Sequence, residues 1–216
     1  MSDENRRTDA AEIASAIIIS IAGLGSSWAT YQAGLWDGEQ AGHYTRANNL
    51  RVKASQTALE GDALAGVEIQ IFNAWLQAKA QGEEPLARFY EARVPPRMRP
   101  AFDAWLAQRP LENPAAPPTP FGTRFYQRPG LAAGHELDRQ ADESFEQGQY
   151  ANRVSDAFQQ AATILALALF FGGIGQVFRM RTSRIVLLAI ASAATLLGFF
   201  RLISLPMQFL GWGPPG

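Results

Sequence analysis

The chain has 216 residues, with 19 basic and 20 acidic side chains, no cysteine and a formal net charge of −1. Near-neutral charge argues against a nucleic-acid binder working through a basic field. The absence of cysteine excludes disulfides, thiolate metal sites, Fe–S clusters and a thiol nucleophile. The mean hydropathy of −0.10 hides an uneven distribution, because the apolar residues gather in three blocks.

The first block, Ile13 to Tyr31, has 19 residues and no charge; the second, Ala161 to Phe178, has 18 and none; the third, Ile185 to Leu205, has 21 with Arg201 near its end. Crossing a bilayer core takes roughly 20 apolar residues in a helix, so all three qualify. The expected fold class is an all-α membrane protein. Three transmembrane helices are joined, between the first and second, by an extramembrane antiparallel helical hairpin. The expected segments are a cytoplasmic tail 1–12, helix 13–31, an extracytoplasmic domain 32–160, helix 161–178, a loop 179–184, helix 185–205 and an outer tail 206–216. The loop carries Arg179, Arg181 and Arg184 and no acid, and the tail carries Arg6 and Arg7. The positive-inside rule then puts the N-terminus and this loop in the cytoplasm. Asp3, Glu4, Asp9 and Glu12 oppose the two tail arginines, so the three-arginine loop decides the orientation. Ser27-Trp28-Ala29 loosely fits a signal-peptide cleavage site, but the leader is acidic and helical character continues past it. Arg201 reads as a residue that reaches back to the outer headgroups. Trp28, Tyr31, Trp36 and Trp212 read as an interfacial aromatic belt.

From Gln32 to Gln81 there is no proline, and Ala, Gln, Glu and Leu predominate, which favours a helix continuing from the first block. A seven-residue pattern runs through it. One column is Leu50, Thr57, Leu64, Ile71 and Ala78; the other is Ala47, Ala54, Gly61, Glu68 and Trp75. This resembles a packing seam with one small column, weakened at Gly61 and Glu68, where a kink is an option. Residues 85–109 read as two short helices split at Pro95-Pro96, with Pro100 in the first turn of the second and Phe102, Trp105 and Leu106 facing inward. Residues 110–130 hold six of the 13 prolines and read as an extended connector without helix. Its Phe121, Phe125 and Tyr126 are expected to lie against the helices. A second long helix is expected from Leu131 into the second block. If the two long helices pair, positions at equal height add to about 191. That register sets Asp37 near Arg153, and Arg46 between Glu143 and Glu146.

The clearest candidate interface is a small-residue column of spacing four: Ala22, Ser26, Thr30, Gly34, Gly38 and Gly42. Each helical glycine costs about 1 kcal/mol against alanine, so three at fixed spacing point to a close helix approach. The approaching helix is either one of the chain's own or that of a second copy or another membrane protein. Gly172, Gly173 and Gly175 form a second cluster, read as a packing notch. Glu39 with His43, and His135 with Asp138 and Asp142, have metal-ligand character. Helical rise separates the two groups by about 20 Å, so no metal or cofactor is expected. Neither a nucleophile elbow, nor a zinc-protease helix, nor a phosphate loop occurs, and no enzyme activity is expected.

The stretches YQAGLWDGEQA (31–41), PAFDAWLAQRP (100–110), PPTPF (117–121), ANRVSDAF (151–158) and LFFGGI (169–174) resemble a family of uncharacterised bacterial membrane proteins. In that family a first membrane helix is followed by a helical extracytoplasmic insert and a terminal helical pair. The resemblance implies a bacterial inner (plasma) membrane and carries no activity. The expected function is therefore an interaction or scaffold protein, with the bilayer and either itself or another membrane protein as partners. An oligomeric channel or transport component is the alternative, followed by a sensor that signals through another protein.

Overall fold

The computed structural model describes residues 3–178 and 180–208, with side chains from Glu12 onward. Arg179, Trp212 and the rest of 209–216 lie outside the described residues, as do the side chains of Arg6 and Arg7. Every regular element among the described residues is helical: α1 (Asp3–Ala80), α2 (Glu84–Glu91), α3 (Arg99–Leu106), a 3-10 turn (Pro120–Gly122), α4 (Leu131–Val177) and α5 (Arg181–Ile203). Three of them, α1, α4 and α5, are long and apolar enough to cross a membrane. The chain divides into two compact units, Met1–Thr45 with Ser144–Gly216, and Arg46–Glu143.

The first unit packs α1, α4 and α5 through small residues. Ala22 meets Leu165 and Ala168; Ala29 and Ala33 meet Val154, Phe158 and Leu202. Buried positions on α5 are Ala191, Thr195, Gly198 and Leu202, a three-and-four spacing that makes a helical stripe. Phe158, Leu165 and Leu202 complete this inside, while many other large apolar side chains point outward. Ile17, Ile21 and Leu24 on α1, Phe170 on α4, and Leu196 and Phe200 on α5 are exposed. An alanine-rich core under a layer of exposed large apolar side chains departs from the pattern of a water-soluble bundle. Polar links fix the register: Ser15 Oγ donates to the Gly172 carbonyl at 3.3 Å, Ser26 Oγ to that of Ala162 at 3.3 Å, and Ser155 Oγ to that of Ala33 at 3.1 Å.

The second unit is built on an aromatic core. Phe72 and Trp75 of α1 pack with Phe102 and Trp105 of α3, joined by Ala87, Val94 and Met98. Trp75 stands edge-on to Phe102 at 5.1 Å, and Phe72 to Trp105 at 5.2 Å, a preferred aromatic geometry. Leu106 packs on this cluster half-buried. Pro85 and Pro100 sit in the first turns of α2 and α3, where a missing N–H costs nothing. The connector is less open than its prolines suggest. It contains the 3-10 turn, and its Pro117 carbonyl accepts a 2.6 Å hydrogen bond from Trp105 Nε1. Phe121 and Tyr126 pack inward as expected, whereas Phe125 is exposed.

The two apparent weak points of the seven-residue seam are where the connector docks. α1 continues unbroken through Gly61. A side chain at Gly61 would collide with the Pro129 carbonyl, so its absence lets the Pro129–Gly130 backbone touch the helix. The Glu68 side chain is 0% exposed, and its carboxylate accepts from Arg97 Nε at 2.6 Å and from the Tyr126 hydroxyl at 2.9 Å. Burial, then the bond to Glu68, pushes the Tyr126 pKa up to about 12. The ion pair joining α1 to α4 within this unit is Arg51–Asp142, at 3.2 Å. Among the described residues, Asp37 is not ion-paired with Arg153, nor Arg46 with Glu143.

Candidate helix-packing face

The small-residue column of α1 divides into two parts. Ala22 is fully buried against α4, and Ser26 is half-buried and bonded to it. Thr30 is exposed and bonds its own helix, at the Ser26 carbonyl, 3.0 Å away. Gly34, Gly38 and Gly42 are exposed, and a Cβ added at any of them would meet nothing within 4 Å.

Other glycines of the same unit behave differently. A Cβ at Gly172 would lie 2.9 Å from Ile19, and one at Gly198 would lie 2.6 Å from Leu165. These are the close approaches that hold α1, α4 and α5 together, and they account for the notch expected at Gly172 and Gly175, both buried. Gly173 is open. Among the described residues the first unit therefore has glycines that its own packing demands and open ones, three of which form one column on α1.

Near the open glycines, α1 also carries a polar clamp. Gln32 is fully buried; its Nε2 donates to the Gln208 carbonyl at 2.7 Å and its Oε1 accepts from the Gln208 N–H at 2.8 Å. Trp36 Nε1 donates to the Pro206 carbonyl at 3.1 Å. Segment 206–208 is thus tied to α1 by three hydrogen bonds. Sequence reasoning passes over Gln32, because a single glutamine among small residues carries no periodic signal.

Of the metal-ligand types, His43 Nε2 lies 3.8 Å from Glu39 Oε2 in the first unit, whereas His135, Asp138 and Asp142 belong to the second. No group of three or more His, Asp or Glu able to hold a metal occurs among the described residues. A narrow crevice lies among Ser15, Gly172, Gly175, Arg184 and Leu188, too tight to admit even a water molecule. Arg184 there is 3.5 Å from Glu12. No protein-family model, curated protein or solved structure matches the chain.

Proposed function

We propose that this chain is an integral membrane protein that works by association, holding a second copy or another membrane protein through the α1 face at Gly34, Gly38 and Gly42. In this reading residues 13–31, 161–178 and 185–205 cross a bacterial inner membrane. The N-terminus and the 179–184 loop are cytoplasmic. Residues 32–160 form an extracytoplasmic domain in which α1 and α4 run antiparallel. The outward-facing isoleucines, leucines and phenylalanines of the first unit support embedding, because water would not tolerate so continuous an apolar surface. The α1–α4 bonds within each unit support the antiparallel pairing. The family resemblance supports the bacterial setting.

The observation that carries the function is the open state of the three glycines. Each costs helix stability, about 1 kcal/mol against alanine, and no described residue packs on it closely enough to require glycine. A helix arriving from outside would recover that cost by close backbone contact. No catalytic role belongs to this reading.

The test is the mass of the complex extracted gently from membranes, with and without Gly34→Leu, Gly38→Leu and Gly42→Leu together. The expected result is a complex larger than one chain that falls apart in the triple variant. A larger complex unchanged by the three leucines would remove this face from the proposal. A chain that extracts alone and monomeric would sink the function.

A further inference from the structure

The outward face of α2, continued by the two residues after it, is unlike the surface of a solvated helix. Pro85, Leu86, Arg88, Phe89, Ala92 and Arg93 are all exposed, on the side away from the buried Ala87. Four of the six are apolar, two are arginines and none is acidic. Leu86 is 40% exposed and Phe89 is 46% exposed. The carboxylates of α2 are placed elsewhere: Glu84 pairs with Lys79 at 3.0 Å, and Glu91 is half-buried. Arg88 and Arg93 have no ion-pair partner among the described residues. Arg93 is held in place all the same. Its guanidinium lies 3.5 Å from the centre of the Phe89 ring, and its Nη1 donates to the Phe89 carbonyl at 3.2 Å.

We propose that this face docks an acidic, apolar segment of a partner protein, whose carboxylates meet Arg88 and Arg93 while its apolar side chains cover Leu86 and Phe89. Charge complementarity selects that occupant. A guanidinium stacked on a ring has lost part of its freedom before a ligand arrives, and it offers planar N–H donors that match a carboxylate. The apolar residues between the two arginines reward a ligand that is more than charge. A bilayer fits less well, because a phenylalanine that enters lipid needs a free ring, whereas Phe89 is covered on one face by Arg93. A glycan also fits less well, because none of the six side chains is an amide, hydroxyl or carboxylate that could read sugar hydroxyls. Residues 84–130 contain seven arginines and no lysine. Lysine serves a diffuse field as well as arginine does, but the cores of protein interfaces favour arginine and aromatic residues. The α2 face belongs to the second unit, and Gly34, Gly38 and Gly42 belong to the first. The inference therefore adds a second contact, with a partner of stated chemistry, and does not depend on the glycine face.

The test is a fluorescence-anisotropy titration of the full chain, in nanodiscs of neutral lipid, with a labelled short peptide of glutamate and leucine. Binding is expected, and it should weaken as salt rises. Arg88→Ala with Arg93→Ala should weaken it by roughly ten-fold or more. Both side chains are exposed, so the double variant should keep the circular dichroism of the native chain. Leu86→Ser, at another exposed side chain, is the independent variant and should also weaken binding. Arg93→Lys keeps the charge and loses the stacked fork, so an intermediate loss is expected. Arg153→Ala removes an exposed arginine from α4 and should leave binding unchanged, as should the three-glycine leucine variant. No binding of the peptide, equal binding of polyglutamate, or an equal loss in Arg153→Ala would overturn the inference. Capture of phosphatidylglycerol vesicles by the native chain, lost in the double variant, would overturn it in favour of a lipid surface.

Discussion

Removing Arg97 should damage the second unit more than removing the charge it neutralises. Glu68 is 0% exposed, and its two oxygens are held by Arg97 Nε at 2.6 Å and the Tyr126 hydroxyl at 2.9 Å. Arg97→Ala leaves a buried carboxylate with one partner. Stripping a partner from a fully buried ion pair costs about 3–5 kcal/mol. The Arg97 side chain is 40% exposed, so solvent screening reduces the expected loss to about 2–3 kcal/mol. Tyr126→Phe removes one hydrogen bond to a charged group, for about 1.5–2 kcal/mol. Glu68→Gln keeps an acceptor oxygen and sheds the desolvation cost of the charge, so about 1 kcal/mol is expected. The order should be Arg97→Ala, then Tyr126→Phe, then Glu68→Gln, read from urea unfolding of the whole chain with limited proteolysis across 110–130 as a local reporter. Combining Glu68→Gln with Arg97→Ala should cost less than the two single losses added, because the stranded charge is gone. Glu68→Gln as the most damaging of the three, with Arg97→Ala neutral, would show that no stranded charge governs this site.

Tyr126, held up to about 12 by burial and then by its bond to Glu68, should make the second unit sensitive to alkali. A phenol whose folded pKa lies above its unfolded value near 10 contributes stability in full below pH 10, and loses it as pH rises towards 12. Unfolding followed across that window should show the loss in the native chain and a smaller one in Tyr126→Phe. At the acid end, Arg139 hydrogen-bonds Glu136 and holds its pKa down to about 2, with Gln140 assisting. Arg139→Ala should return Glu136 towards the ordinary carboxylate value, readable by NMR titration. Alanine at Gly34, Gly38 and Gly42 should raise the stability of the isolated chain by about 0.5–1 kcal/mol each and lower its association. Alanine at Gly198, where Leu165 stands 2.6 Å from the added carbon, should lower stability. Gln32→Leu should free segment 206–208, seen as faster hydrogen exchange at the Gln208 N–H that Gln32 now binds.

Periodicity and punctuation made the helices legible. The apolar blocks lie in α1, α4 and α5, and Pro95-Pro96 separates α2 from α3. The small column Ala47, Ala54, Gly61, Glu68 and Trp75 is buried at every position, whereas in the other column Ala78 is buried, Leu50, Thr57 and Ile71 are half-buried and Leu64 is exposed, so spacing located one side of the seam and misplaced part of the other. The charge pairs offered in support of the register fared unevenly. Asp37 and Arg153 do not pair, yet Arg51 and Asp142 do, because long surface side chains choose among several partners of similar energy. Spacing could not tell what lies opposite a column. Glu68 read as a defect in the seam, and its partners arrive from 29 and 58 residues away.

The same gap between spacing and occupancy separates the two kinds of glycine. Gly198 sits in an apolar block where any small residue is unremarkable, and only Leu165 facing it reveals a requirement for glycine; Gly172 stands out through its cluster with Gly173 and Gly175. Gly34, Gly38 and Gly42 form the more visible pattern, yet among the described residues nothing lies within 4 Å of a side chain added there. A sequence shaped only by its own fold would fill such positions with alanine, because that exchange stabilises a helix at no steric cost. Association supplies a physical reason for glycine there.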